Sequence, residues 1–315
     1  MTVDFRATKV LGALDINTIT GLKERIELVI AGMAEQVLAE GDASNLEQII
    51  VTDKFVDDVL AFQQEHLGGV KGVTNNEYGR AFGKMIFDPT GKRYYIFLDS
   101  EYLSFLLDDA ILEPIVSKMP NKLKDEVLFN RRCAINLLAH ELEHFKFAIT
   151  QKEPDLGESL DDQIKKLLYQ LFDEYCACRN SMAFSDFSLI PYDEGYMQDI
   201  EEHIMDNRLK YNWRNLSLDD FVGVFHAYTR QALMNIAANL GAKHGTENAT
   251  AIFENCLCGG ILHEIETEFD SLYSTMQADA TIDISDALVA WIKNYYELFG
   301  VSISETPDGL YYDIP

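Results

Sequence analysis

The strongest constraint on the fold is a change of periodicity near Ser100. Strand-like and helical segments alternate before that residue, whereas apolar residues after it recur at helical spacing almost to the end of the chain. Helical spacing covers 101–118, 123–150, 159–184, 194–210, 217–241, 247–277 and 284–299, and 301–304 could add a small strand. We therefore expect an α+β fold, with a small N-terminal sheet followed by a mainly helical C-terminal half.

The first third supplies the material for that sheet. Residues 19–39 space apolar side chains as an amphipathic helix, and the β-branched run 48–52 precedes a helical stretch that ends near His66. A hairpin is indicated at 80–98, where two runs rich in aromatic and branched residues flank a turn with Pro89 and Gly91. We divide the chain into an α/β lobe, 1–150, and a helical lobe, 151–315.

Composition narrows the classes of function. The 315 residues are 47% hydrophobic, which supports a sizeable core and excludes a mostly disordered chain. With 52 acidic residues against 26 basic ones, the formal net charge is −26. Such a surface repels phosphate backbones and anionic lipid, so we expect no nucleic-acid or membrane partner and a preference for basic protein or peptide partners.

The compartment is indicated by what the sequence lacks. No apolar run approaches the roughly 20 residues of a bilayer span, and the N-terminus has no signal pattern. Five cysteines, two pairs of them spaced Cys-x-Cys, do not suggest a disulfide framework. We expect a cytoplasmic protein, and we interpret Cys176 and Cys178 as buried thiols rather than metal ligands. The sequence does not indicate an oligomeric state.

One motif carries chemistry: His140-Glu141-Leu142-Glu143-His144. Residues four apart share a helix face, so both imidazoles can point at one ion, and Glu141 would reach water held there. Apolar flanks predict that this helix is buried, where its polar groups need a partner such as a metal. The alternative is a solvated helix edge that carries two histidines.

A zinc site needs a third protein ligand. In the longer zinc motif HExxHxxGxxH the third ligand is a histidine. That motif would require glycine at 147 and histidine at 150, but the chain has Phe147 and Thr150. The helix predicted at 159–184 offers Glu174, which projects from an otherwise apolar face, whereas Asp173 falls on a polar stripe. The alternative role for Glu174 is a carboxylate at a helix edge that pairs with Lys or Arg.

These features resemble the gluzincin branch of the zincin metallopeptidases over about residues 94–183. Glu174-Tyr-Cys-Ala177 looks like the third-ligand helix of compact intracellular peptidases of the ImmA/IrrE type. The resemblance implies a short sheet over the active-site helix, with an edge strand that can pair with an extended peptide, and a cytoplasmic regulatory protease. Two positions differ from that pattern: Glu143 is charged, and Cys178 stands where relatives often carry Asn or Asp.

The predicted function is that of a zinc-dependent endopeptidase acting on an intracellular protein target. Zn²⁺ would be held by His140, His144 and Glu174, and Glu141 would take the proton of the attacking water and pass it to the leaving amine. Donors for the developing oxyanion could come from Tyr175, His203, Tyr211 or His226, although His203 and His226 also suit core positions.

Two other functions stay open. One is a metal-holding regulatory or sensor module that binds a partner without proteolysis, and a weaker one is zinc-dependent hydrolysis of a small molecule. His244, beside a glycine-containing loop, shows no partner pattern in the sequence.

Overall fold

A computed structural model describes the chain apart from residues 8–15, 39–42, 70–71, 74, 77–78, 104–105, 186, 189, 191, 247–251, 279 and 308. The strands are β1 (Thr2–Phe5), β2 (Leu46–Thr52), β3 (Asn75–Asn76), β4 (Gly79–Arg80), β5 (Gly83–Phe87), β6 (Tyr94–Asp99), β7 (Ser302–Thr306) and β8 (Gly309–Asp313). The helices are α1 (Ile16–Val37), α2 (Phe55–His66), α3 (Ser100–Leu103), α4 (Asp109–Val116), α5 (Asn121–Thr150), α6 (Leu160–Ser181), α7 (Glu194–Asn212), α8 (Leu218–His244), α9 (Leu262–Thr275) and α10 (Asp286–Leu298). The predicted α+β class is confirmed.

Two compact units divide the chain. The first comprises Met1–Ile149 and Asn180–Leu189, and the second comprises Thr150–Arg179 and Ile190–Pro315. No helix in the described part of the chain is long and apolar enough to cross a membrane. All five cysteines are buried thiols outside any disulfide.

The first unit is built on a four-stranded sheet in the order β1-β2-β6-β5. Strands β1, β2 and β6 run parallel, and β5 pairs antiparallel with β6 at one end of the sheet. The hairpin predicted at 80–98 is confirmed for β5 and β6. The Asp88 carboxylate accepts the backbone N–H of Lys92 in its turn, and Gly91 takes a φ of +66° that favours glycine.

Alternation along the strands decides which helix covers each face of this sheet. In β2, Ile49 and Val51 lie in one apolar cluster with α1 and α5, whereas Ile50 lies in another with α2. Residues of β6 divide in the same way, because successive side chains of a strand point to opposite faces. Helix α5, which carries the His-Glu motif, is thereby buried against one face of the sheet.

The second unit packs helices around aromatic side chains. Phe172 and Tyr175 of α6 contact the ring of Phe269 in α9. The Trp291 indole of α10 donates to the Ile261 carbonyl at 2.6 Å. Strands β7 and β8 form a separate two-stranded hairpin, of which the sequence predicted only the first strand.

The bounds of two predicted helices are wrong. The segment 101–118 is split into α3 and α4, because Asp108 accepts the Ile111 N–H and begins a new helix. The segment 247–277 begins on residues outside the described part, and α9 starts only at Leu262. A 3₁₀ turn precedes α9, where the buried Glu201 carboxylate accepts two backbone N–H groups, those of Leu257 and Cys258.

Gly241 of α8 packs against α6 without room for a side chain. A Cβ there would meet the Tyr175 carbonyl oxygen, the Cys178 Cβ at 3.0 Å and the Arg179 nitrogen at 3.1 Å. We expect Gly241→Ala to lower the free energy of unfolding by about 1–3 kcal/mol, because overpacking outweighs the gain in helix propensity. Gly223 on the same helix has nothing within 4 Å, so Gly223→Ala should instead stabilise by up to about 1 kcal/mol in urea denaturation.

Candidate metal centre

The two histidines of the motif face each other on α5. Their Nε2 atoms lie 3.0 Å apart, with ring centroids at 4.5 Å and planes at 89°. Two nitrogens held 2.0–2.1 Å from a tetrahedral zinc ion would be about 3.3 Å apart, which is close to this separation. The pair can share one proton or, with both nitrogens unprotonated, face a cation.

Three side chains form a compact group of potential ligands. One ligand atom from each of His140, Glu174 and Cys178 lies within 4.8 Å of the other two, and Glu174 and Cys178 are buried. The Cys178 Sγ is 3.6 Å from a Glu174 carboxylate oxygen. This cluster could hold a metal ion. His144 is not a member of the group of three, although its Nε2 contacts that of His140.

Cys178 is a buried thiol, as predicted. Its sulfur also lies beside Glu174, one helical turn away, because residues four apart on a helix share a face. That Cys178 is not a metal ligand stays a prediction. Burial, together with the negative charge of Glu174, raises the pKa of Cys178 well above its ordinary value.

The donor set suits a transition metal such as zinc. Imidazole nitrogen, carboxylate oxygen and cysteine sulfur are all zinc ligands, whereas calcium and magnesium prefer oxygen. Glu174 is only 7% exposed, and a buried carboxylate is costly without a charged partner. A divalent cation beside it would offset part of that cost, so the donor atoms present fit the metal that the motif predicts.

The last turn of α6 is tied to α5 by hydrogen bonds within the first unit. Asn180 donates to the Glu143 carboxylate at 2.9 Å, and Asn136 donates to the Ser181 hydroxyl at 3.3 Å. The Lys146 ammonium lies 3.6 Å from the same Glu143 carboxylate. These contacts account for a charged residue at position 143, since its burial is compensated by two neighbours.

Glu141 lies against the backbone of the last strand of the sheet. A Cβ on Gly83 of β5 would overlap the Glu141 carboxylate, so this position must be glycine for the side chain to adopt its place. The backbone of Phe82 pairs with Asp99 at 2.7 Å, which makes Gly83 a non-hydrogen-bonded position opposite Leu98. The N–H and C=O of Gly83 thus point away from β6.

Gly83 was not among the residues predicted for the site. A lone glycine inside a strand pattern often marks close backbone approach, and that signal was present. Its partner could not be identified from the sequence, because Glu141 comes from a distant helix.

The four candidates for an oxyanion donor all lie in the second unit, each with a partner there. The pairs are Tyr175 with His244, His203 with Tyr228, Tyr211 with Phe221, and His226 with Tyr312. Burial raises the pKa of Tyr175 and lowers that of His226. Their role as oxyanion donors therefore stays a prediction.

His244, which has no partner pattern in the sequence, belongs to a polar network of the second unit. Its Nδ1 lies 2.6 Å from the Tyr175 hydroxyl, and its Nε2 lies 3.0 Å from the Glu266 carboxylate. Burial tends to raise the pKa of Glu266. Hydrogen bonds from Lys243 and His244 outweigh that effect and lower the pKa below its ordinary value. These hydrogen bonds hold Tyr175 of α6 against His244 of α8, which in turn bonds to Glu266 of α9.

Comparison with family models, with curated proteins and with solved structures gave no match for this chain. The case for a function rests on the residues themselves.

The contact between Gly83 and Glu141 can be tested by a double-mutant cycle. Gly83→Ala should lower the free energy of unfolding by about 1–3 kcal/mol, because its Cβ displaces the Glu141 side chain. In a Glu141→Ala background the same substitution should cost less than about 0.5 kcal/mol. Urea denaturation measures both, with Gly69→Ala, which meets nothing within 4 Å, as the control. Equal costs in the two backgrounds would contradict the contact.

Proposed function

We propose that this protein is a zinc-dependent endopeptidase that cleaves an intracellular protein target. The observation that carries the proposal is the place of Glu141, which adjoins His140 in sequence and packs on the outermost described strand of the sheet. A buried carboxylate that adjoins a histidine in sequence and packs on a sheet edge supports a role as general base on an extended peptide.

The chain would bind its substrate through the backbone of β5. Gly83, Met85 and Phe87 occupy alternate, non-hydrogen-bonded positions opposite β6, so their N–H and C=O groups point outward. An extended peptide can add to such an edge as a further strand. Pairing at Gly83 would bring a peptide bond of the substrate next to the Glu141 carboxylate. Gly83 has no side chain that would stand between the peptide and Glu141.

The metal would be held by His140, His144 and Glu174. When bound, zinc supplies a Lewis acid that polarises a carbonyl and makes water acidic near neutral pH. Glu141 would take the proton of the attacking water and deliver it to the leaving amine. The formal charge of −26 favours a basic stretch of polypeptide as the substrate.

Substitution of the proposed base separates catalysis from metal binding. Glu141→Gln should retain zinc in elemental analysis yet lose cleavage by about 10²–10⁴-fold, because the amide cannot accept a proton. Comparative N-terminal proteomics of cells expressing each form would show the cut sites that depend on Glu141.

Glu143→Gln is the matched control, since Glu143 is also buried on α5 but bonds to Asn180. This variant should lose stability and keep the cut sites. The same new termini in wild type and in Glu141→Gln would exclude Glu141 as the base.

A second function is favoured by one observation, the place of Cys178. Structural zinc sites have four protein ligands, whereas catalytic sites keep one position open. With His140, His144, Glu174 and Cys178, this chain offers four ligand side chains. If sulfur ligates the ion, the site is closed, and the protein is better described as a metal-holding regulatory or sensor module.

Cobalt substitution distinguishes the open site from the closed one. The peptidase proposal predicts that the cobalt-loaded protein lacks a sulfur-to-cobalt charge-transfer band, and that Cys178→Ser changes metal affinity by less than about threefold. A strong band that disappears in Cys178→Ser would instead assign the closed site. Cys176→Ser is the control, because that thiol is buried on the same helix outside the cluster.

A further inference from the structure

A cavity of about 210 Å³ lies wholly within the second unit. Its apolar wall comes from Leu160, Ile164 and Leu167 of α6, and from Ile303 and Leu310 of the hairpin β7–β8. The remaining lining residues are His226, Thr229 and Arg230 of α8, Tyr296 of α10, Gln163 of α6 and Tyr312 of β8. None of the residues of the candidate metal centre lines this cavity.

The C-terminal hairpin forms one side of the cavity. Ile303 and Tyr312 are a cross-strand pair, and they are the two partly buried residues of β7 and β8. A two-stranded hairpin is marginally stable alone, and the bond between the Tyr312 hydroxyl and His226 ties this one to α8. A ligand bound there would contact the hairpin directly.

Most polar side chains that line the cavity already have a partner in the protein. Those bonds are His226 to the Tyr312 hydroxyl at 2.8 Å, Thr229 to the Phe225 carbonyl at 2.6 Å, and Gln163 to the Glu158 carbonyl at 3.0 Å. Across the described residues, neither the Arg230 guanidinium nor the Tyr296 hydroxyl has a hydrogen bond or an ion pair. The Arg230 side chain is solvent-exposed at the edge of the cavity, and both groups can donate, so an acceptor would satisfy them together.

The charge of the cavity selects an anion. Burial lowers the pKa of His226, and burial with the nearby Tyr312 raises the pKa of Tyr296 to about 12. Both groups are therefore uncharged at neutral pH. Arg230 is the one charged side chain among the lining residues. A guanidinium and a hydroxyl together match the oxygens of a carboxylate.

We propose that this cavity binds a small monocarboxylate, with its apolar body among the side chains of α6 and the hairpin and its carboxylate on Arg230 and Tyr296. A cavity of about 150 Å³ holds benzene, so 210 Å³ admits a body of about six carbons. The proposal does not depend on the metal centre, because it involves neither the same residues nor an ion.

Hexanoate is the probe, and titration calorimetry of the full chain measures its binding. We expect saturable binding of hexanoate, at least tenfold weaker binding of 1-hexanol and no binding of hexylamine, because only the carboxylate satisfies Arg230. Arg230→Gln should weaken hexanoate about tenfold and leave 1-hexanol within about twofold. Tyr296→Phe should produce a smaller loss in the same direction.

Two controls keep this test decisive. Lys210→Gln removes one exposed positive charge from the same unit away from the cavity, and it should leave hexanoate affinity unchanged. Ile164→Phe should fill the cavity and abolish binding of both hexanoate and 1-hexanol, with circular dichroism to show that the chain is folded. Absence of saturable hexanoate binding, or equal affinities of wild type and Arg230→Gln, would overturn the proposal.

Discussion

The interaction on which the candidate site depends is the burial of acidic side chains in helices that also supply the core. Glu141, Glu143 and Glu174 are each less than 10% exposed, although carboxylates are costly to bury. Their environments differ. Glu143 is compensated by Asn180 and Lys146, whereas Glu141 packs on the backbone of Gly83, and Glu174 has a thiol and an imidazole nearby. A cation is the partner that would satisfy the last of these.

The two proposed functions differ in the role they give to Cys178. A thiol that stays protonated leaves room for water, and its high pKa favours that state as long as no ion is bound. A metal held close to the sulfur would favour the thiolate instead. The two proposals therefore differ in whether the sulfur of Cys178 would ligate the ion.

Much of the fold could be predicted, because its signals are local. Helical spacing located α5, α6 and α8, and the turn with Pro89 and Gly91 located the hairpin of β5 and β6. The apolar face of α6 also distinguished Glu174, which is buried, from Asp173, which is partly exposed. Strand β1 was missed, since its four residues become a strand only through parallel pairing with β2.

The sequence by itself determined the helical spacing of the histidine pair, the identity of the acids near it and the acidic surface. Tertiary structure alone decided which groups meet. The Glu141 side chain packs against the backbone of Gly83, and Tyr175 bonds to His244 across 69 residues of sequence. The cavity beside Arg230 likewise exists only because a C-terminal hairpin packs near α6 and α8. Periodicity encodes which face of an element is buried, but not which distant side chain completes that face, because that depends on packing of the whole chain.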